Sequence, residues 1–572
     1  MSHRPTICGT RHAVSAGHYL AAAAGFAMLE AGGNAIDAGC AAGIALGVLQ
    51  PDLVNVAGVA PIMLRLADGT VESIAGLGWW PKRLPADLFM REHAGKIPDG
   101  VLRTVIPAAP DAWITALRRH GTMRFAEVAA PAIRFAAEGF SVYPLLAVSI
   151  AAHEHEYRRW QSNTAIFLPG GQVPKSGDKF VQTDLARTLQ FMADQDRAAG
   201  DDRLAGLQAA HDAFYRGDIA REIVRFQQQE GGYLAADDLA AYHSRIEPVV
   251  RRNWRGHELI TCGPWCQGPA LQQALALVER VGIDGLAHNS ADYLHRVVEC
   301  LNLAMADREY FFGDPAFVDV PIDHLLDPAT IARRAAAVRD DQAFGQMPAP
   351  LDRLPGSSAR GQAPTPHAAS ARELPKVEAD TSYCCAVDRW GNAFSATPSD
   401  GSGNVPVVPG LGITPSGRGS QSRPDPRHPA GVAPGKRPRL TPNPAMVLTR
   451  EGGVMPFGTP GGDVQTQAML QVMLNILHFG MEVQDAIEAP RVSSYSFPSS
   501  FSPFEYFPGR LAVEGRIDAS TRAELASRGH AVQDWPDWTW LAGSVEVILT
   551  DPKSGLMAAG ADPRRPAYAI AI

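Results

Sequence analysis

The chain has 572 residues, 46% of them hydrophobic, and its 52 basic and 60 acidic residues give a formal net charge of −8. It carries no long run of like charge, which excludes nucleic acid and an anionic membrane surface as expected partners. Several average domains would fit in this length, and so would one continuous layered α/β unit.

In chain order, Met1-Ser2-His3-Arg4-Pro5 leads straight to Gly9-Thr10-Arg11-His12, so no secretory leader is read and a cytoplasmic location is expected. The apolar stretch 19–48 is interrupted by Glu30, Asn34 and Asp37 and broken by Gly32-Gly33. It reads as buried core helices over 13–29 and 35–49, not as a membrane span. Segments 62–66 and 71–74 form a predicted hairpin around Asp68-Gly69. From 110 to 339 helical periodicity dominates, with helices predicted over 111–119, 124–138, 184–194, 218–229, 270–281, 291–306 and 328–339. Residues 346–380 are rich in Pro, Ala and Ser and poor in large apolar residues, a composition that predicts a flexible tail. A strand over 382–387, a turn at Arg389-Trp390-Gly391-Asn392 and a return strand over 393–397 follow. Later come a strand at 445–448, a helix at 463–479 and a strand at 545–550 that is expected to complete the sheet. Strands, helices, then strands again suit a sandwich of two sheets covered by helices.

The junction Asp380-Thr381-Ser382 carries the chemistry. A threonine hydroxyl is a weak nucleophile that needs a base within hydrogen-bonding reach, and a free α-amine on the same residue supplies one. Such an amine titrates at about pH 7.7–8.0, so part of it is neutral in a cell. Thr381 acquires that amine only if the Asp380–Thr381 bond is cut. Taken alone, Thr-Ser between a loop and a strand reads as an ordinary strand start, and Pro460-Gly461-Gly462 as an ordinary turn.

Other motifs carry less. Seven cysteines without framework spacing read as reduced thiols, and Cys262-Gly263-Pro264-Trp265-Cys266 as a loop before a helix. Cys384 and Cys385 point to opposite faces of a strand. His153-Glu154-His155 is read on a helix, where residues two apart share no face, so no metal pair is expected; His428 reads as an exposed or locally bonded loop histidine. Gly410-Leu411-Gly412 precedes no helix, so no cofactor is implied.

The 381–392 stretch resembles the catalytic centre of the γ-glutamyltransferase family, self-cleaving N-terminal-nucleophile amidohydrolases. The similarity continues in order through Glu30-Ala31-Gly32-Gly33-Asn34-Ala35-Ile36-Asp37-Ala38, Phe214-Tyr215-Arg216-Gly217, Gly435-Lys436-Arg437-Pro438, Thr459-Pro460-Gly461-Gly462, Glu488-Ala489-Pro490-Arg491 and Gly560-Ala561-Asp562-Pro563-Arg564-Arg565. It implies a four-layer αββα sandwich made from a large segment, 1–380, and a small segment, 381–572, left by self-cleavage. Within it Thr381 is the implied nucleophile, and Ser399 stands where a family threonine bonds the nucleophile. Gly461 and Gly462 are the implied oxyanion hole, glycines allowing their N–H groups a close approach. Thr441 stands at one of two substrate-contacting serines, and Leu440 replaces the other. The implied partners are a small amide substrate and the two fragments of the precursor themselves, with a homo-oligomer admissible.

The departures define the expected substrate. Glutathione-using members grip the α-carboxylate with an arginine where this chain has Ala75-Gly76-Leu77-Gly78-Trp79-Trp80. Leucine cannot form that bidentate pair. The acidic residues that meet the α-ammonium are replaced by Pro415-Ser416-Gly417-Arg418-Gly419-Ser420-Gln421-Ser422. These features, with Asp425-Pro426-Arg427-His428-Pro429, are similar to the branch that includes oxamate amidohydrolase. The expectation is an amide hydrolase whose acyl group is not standard γ-glutamyl, with Trp79 and Trp80 lining a more apolar or smaller pocket and Arg418 pairing with a substrate carboxylate. By residue type alone, tryptophans are more often packing residues, and an arginine in a Gly/Ser loop is ordinarily solvated. A conventional glutathione hydrolase or γ-glutamyltransferase is the alternative, and a non-catalytic binding protein on the same fold is the rival from another class.

Overall fold

The computed structural model describes residues 2–351 and 381–572, so Asp380 and most of the expected tail lie outside the described residues. Two seven-stranded antiparallel sheets face each other. The first runs Tyr568–Ala571, Ala13–Ala16, Cys384–Val387, Ala393–Ala396, Ile62–Arg65, Val71–Ile74, Ile246–Glu247. The second runs Ile7–Gly9, Met557–Ala561, Glu546–Thr550, Val454–Gly458, Ala445–Leu448, His257–Thr261, Val250–Trp254. Chain from before and after residue 381 enters both sheets, so the two expected segments share one sandwich.

The alternation of side chains along the strands builds the layers. Cys385 and Val387 join Met446, Ile548 and Ala559 in the core between the sheets, while Cys384 and Ala386 face the helices packed outside the first sheet. Ala445 and Val447 point the other way, into a core with the helices Gly268–Val281, Ala291–Phe311 and Val464–Leu477 outside the second sheet. The result is the expected helix–sheet–sheet–helix order. Burial raises both adjacent thiols, Cys384 and Cys385, well above the ordinary range, which leaves them poor nucleophiles.

The helix Ala35–Leu49 is buried along its whole length, as its all-round apolar sequence requires. Its start is fixed by a capping box. Asn34 accepts from the Ile36 and Asp37 amides at 2.9 and 3.1 Å, and Asp37 accepts from the Asn34 amide at 2.9 Å. The 62–74 hairpin, the 384–396 hairpin and the strand Ala445–Leu448 stand where periodicity places them.

Two expectations are corrected and one is qualified. The first helix covers Tyr19–Glu30, because Ala13–Ala16 is a strand held between Tyr568–Ala571 and Cys384–Val387; pairing on both edges overrides alanine's helical preference. The region 110–339 is not only helical: Val250–Trp254 and His257–Thr261 form a hairpin whose turn residues, Arg255 and Gly256, have φ of 52° and 85°. The strand at 546–550 does not complete its sheet, since Met557–Ala561 and Ile7–Gly9 lie beyond it. Among the described residues, no helix is long and apolar enough to cross a membrane.

Candidate active site

Thr381 enters the first sheet just ahead of Cys384–Val387 and is completely buried. It forms an isolated antiparallel bridge with Ser399, which also bridges Val59. Backbone bonds hold this register: Ser382 N–H donates to the Pro398 carbonyl at 2.9 Å, and Ser399 N–H to the Val59 carbonyl at 3.0 Å. Directly opposed residues place their side chains together, and the Thr381 Oγ1 and Ser399 Oγ are 2.7 Å apart. Arg565 Nη1 donates to the Thr381 carbonyl at 3.4 Å.

Arg418 extends this pair. It begins a short 3₁₀ turn, Arg418–Gln421, and its Nη2 donates to Ser399 Oγ. With 1% of its surface exposed, it is not the solvated loop arginine that its Gly/Ser neighbours predict. Asp400 lies 3.9 Å from its Nε, and the Phe501 ring is 5.7 Å from its guanidinium carbon. Asp400 in turn accepts from the Gly417 amide at 3.1 Å and from the Ser416 hydroxyl, which fixes the turn relative to the strand end. Asp400 has a φ of 131°, a strained value for a residue with a side chain, and these contacts hold it there. Gly419 permits a further close approach: a Cβ there would lie 2.3 Å from both the Arg103 carbonyl and the Trp80 ring.

Gly461 and Gly462 adopt φ of 121° and 57°, values that favour glycine. They follow the strand Val454–Gly458 and precede the helix Val464–Leu477, whose Val464 and Gln465 amides donate to the Gly461 and Gly462 carbonyls at 2.9 and 3.3 Å. Gln267 joins this turn to Thr441, because its Nε2 donates to the Gly462 carbonyl at 2.9 Å and to the Thr441 carbonyl at 2.8 Å. Arg308 steadies Gln267 at 2.9 Å and pairs with Asp463, which also accepts from the Ser500 amide and hydroxyl, each at 2.7 Å. Burial would raise the Asp463 carboxyl, but Arg308 and the two Ser500 hydrogen bonds together outweigh it and keep it below its ordinary range. Thr441 Oγ1 accepts from Gln421 Nε2 at 2.7 Å. Phe501 closes the circuit, since it packs beside Gly462 and under Arg418.

Thr381, Ser399, Arg418, Thr441 and the two glycines are therefore linked by a few contacts. Gln267, Gln421, Asp400 and Phe501, which make those links, carry no motif that sequence reasoning could use. Trp79 is elsewhere: its ring is half-buried against Tyr242 at 4.9 Å, and it does not line the cleft that reaches Arg418. Trp80 is fully buried, its Nε1 donating to Ser422 Oγ at 2.9 Å. Leu77 packs with Leu440 in the core between the sheets. His428 is locally bonded and not exposed, its Nδ1 accepting from the Ala430 amide at 3.0 Å; it is not beside Thr381 but lies 3.4 Å from Glu309, which Arg423 and Arg439 also meet.

A cavity of about 550 Å³ opens beside this group, with Asp52, Arg103, Ser149, His153 and Trp540 on its walls. A smaller recess shares Asp52, Arg103, Ser149 and His153 and ends at Asp400, Arg418 and Phe501. Burial pushes the Asp52 carboxyl up to about 6, against a weaker opposing pull from Ser149. His153 stands at the junction of Pro144–Ala152 and Glu154–Tyr157, not inside a helix, and lines this cleft.

A model of the gamma-glutamyltranspeptidase family matches residues 21–572. The acylase ACY 1 proenzyme of Pseudomonas sp. strain SE83 is 31% identical over 96% of this chain and 92% of its own length. The glutathione hydrolase-like YwrD proenzyme of Bacillus subtilis is 29% identical over 99% of each chain. Cephalosporin acylase from Bacillus halodurans superposes with a TM-score of 0.85 at 28% identity, over 100% of this chain and 98% of that one. The chain belongs to the γ-glutamyltranspeptidase family and is an N-terminal-nucleophile enzyme of its hydrolase and transferase class.

Proposed function

We propose that the chain cleaves itself between Asp380 and Thr381 and then hydrolyses the amide of a short acyl group that carries its own carboxylate. The freed α-amine of Thr381 takes the hydroxyl proton as Oγ1 attacks the amide carbonyl. The resulting oxyanion is met by the Gly461 and Gly462 amides, and Ser399 orients the nucleophile. The proton passes to the leaving amine as the C–N bond breaks, leaving an ester on Thr381. Water, or a second amine, then attacks that ester and releases the acid or a new amide.

The observation that carries the substrate class is the link from Arg418 through Ser399 to Thr381. A guanidinium two hydrogen bonds from the nucleophile favours a carboxylate close to the scissile carbonyl, as in a small dicarboxylic monoamide. Leu77, packed in the core, offers no grip for a γ-glutamyl α-carboxylate. The Pseudomonas relative is named an acylase and not a glutathione hydrolase, which supports a search beyond glutathione. Rates on oxamate and longer dicarboxylic monoamides, set beside glutathione and γ-glutamyl-p-nitroanilide, test this reading. The monoamides are expected to turn over faster; efficient glutathione cleavage would sink the substrate assignment in favour of a conventional glutathione hydrolase. A chain that stays whole on a denaturing gel and turns over none of these substrates would favour a binding protein instead.

A further inference from the structure

Asp111, His211 and His243 bring one carboxylate and two imidazoles together, all three donor atoms within 4.8 Å of one another. Asp111 lies in the first turn of the helix Ala109–His120, His211 in the C-terminal half of Arg203–Tyr215, and His243 in the loop before the edge strand Ile246–Glu247. The sequence gives no spacing signal for them, because they come from three separate stretches of chain. Asp111 and His211 are 1% and 2% exposed, and the His243 side chain is 59% exposed.

From this arrangement we infer that the three residues form a binding site for a divalent transition-metal ion of the zinc type, apart from the catalytic threonine. The spacing supports it. Zinc binds imidazole nitrogen and carboxylate oxygen at about 2.0–2.2 Å, which separates neighbouring donors by about 3.3 Å around a tetrahedral ion. His211 Nε2 and His243 Nδ1 stand 3.0 and 3.6 Å from the same Asp111 oxygen, on either side of that distance. The second separation is too long for a good hydrogen bond, so a hydrogen bond to Asp111 does not account for the place of His243 beside it.

The surroundings have the features that orient metal ligands. His211 turns its other nitrogen, Nδ1, to Asp212 at 3.3 Å, the carboxylate–histidine arrangement that fixes the tautomer of a ligating imidazole. The second Asp111 oxygen accepts from the Ser244 amide at 2.5 Å, which leaves the first oxygen facing both rings. The two rings lie 5.4 Å apart and 12° from parallel. Exposure of His243 supplies an entry path and room for water to complete the coordination. An ion here would tie the loop that carries Tyr242, and through it Trp79, to two helices.

The test uses the full chain without an affinity tag, stripped with a chelator and dialysed against zinc sulfate. One zinc per chain is expected in the native protein, with a rise in Tm on loading. His243→Ala, at an exposed position, is expected to bind at least tenfold more weakly and to lose that rise; Asp111→Asn is expected to do the same. Cobalt(II) gives a second readout, visible d–d bands expected in the native protein and lost in His243→Ala. Failure of the native chain to take up zinc, or identical stoichiometry and affinity in His243→Ala, would overturn the site and leave a hydrogen-bonded trio only.

Discussion

Thr381 and Ser399 sit on sheet backbone, bridged to each other and through Ser399 to Val59, whereas Arg418, Gln421 and Thr441 lie on irregular chain held by side-chain bonds. Backbone ladder bonds survive most changes of residue, because every residue but proline supplies the same donor and acceptor. Each side-chain contact, in contrast, is lost with its residue. The backbone frame around the proposed nucleophile is therefore robust to sequence, and the end proposed to read the acyl group is where substitution is expected to change substrate. On the proposed reading, Leu77 in place of a gripping arginine, and a buried Arg418 in a loop that lacks the acidic residues, are changes of the second kind.

The sharpest way to break that contrast is at the nucleophile. Thr381→Ala is expected to lower kcat by about four orders of magnitude or more, by analogy with loss of other covalent nucleophiles, and to leave the chain uncut on a denaturing gel. Residual turnover within tenfold of wild type would remove Thr381 from the reaction. At the other end, Arg418→Leu is expected to cost about 2–5 kcal/mol of transition-state binding, at least a 30-fold fall in kcat/KM on carboxylate-bearing amides. Self-cleavage should persist in that variant, and equal losses on charged and uncharged amides would deny Arg418 a role in selecting the acyl group.

Asp52 tests the cleft by pH. Its carboxyl is pushed up to about 6 by burial, so the folded chain keeps a proton that the unfolded chain releases at lower pH. Stability from this group is present at low pH and lost as pH rises from about 4 to 6. Asp52→Asn has no such loss, so its stability relative to wild type is expected to increase across that window by about 2–3 kcal/mol. Parallel urea midpoints for the two proteins at pH 4 and pH 7 would contradict the shift.

Gln267→Ala removes the bonds to Gly462 and Thr441 together, and a loss of about 1–3 kcal/mol in transition-state stabilisation is expected. A fall in kcat with KM held would place that loss at the oxyanion turn. The smallest effect belongs to Trp79→Phe. Trp79 packs on Tyr242, and its Nε1 has no hydrogen-bond partner among the described residues. A change in stability within about 1 kcal/mol and unaltered substrate preference are expected; a switch of acyl preference would put Trp79 back on the pocket wall.

Much of the frame was legible from residue pattern. Asn34 and Asp37 mark a helix start, Asp68-Gly69 a hairpin, and the alternation around Cys384 and Cys385 two faces of one strand. The candidate nucleophile and the glycine pair came from the order of motifs, since a lone Thr-Ser or Pro-Gly-Gly is an ordinary turn element. Strands such as Ala13–Ala16 and Met557–Ala561 escaped because small residues carry little strand preference, and it is pairing on both sides that makes them strands.

Local chemistry by itself thus marked the apolar segments that are buried and the start of the Ala35–Leu49 helix, while the resemblance to the family supplied the residues expected to carry its reaction. Tertiary structure alone decided that Arg418 is buried beside Ser399, that Phe501 links it to Gly462, and that Asp111, His211 and His243 meet. The reason is physical: periodicity and capping act within a few residues, while the surroundings of a side chain are supplied by chain that can lie a hundred or more positions away.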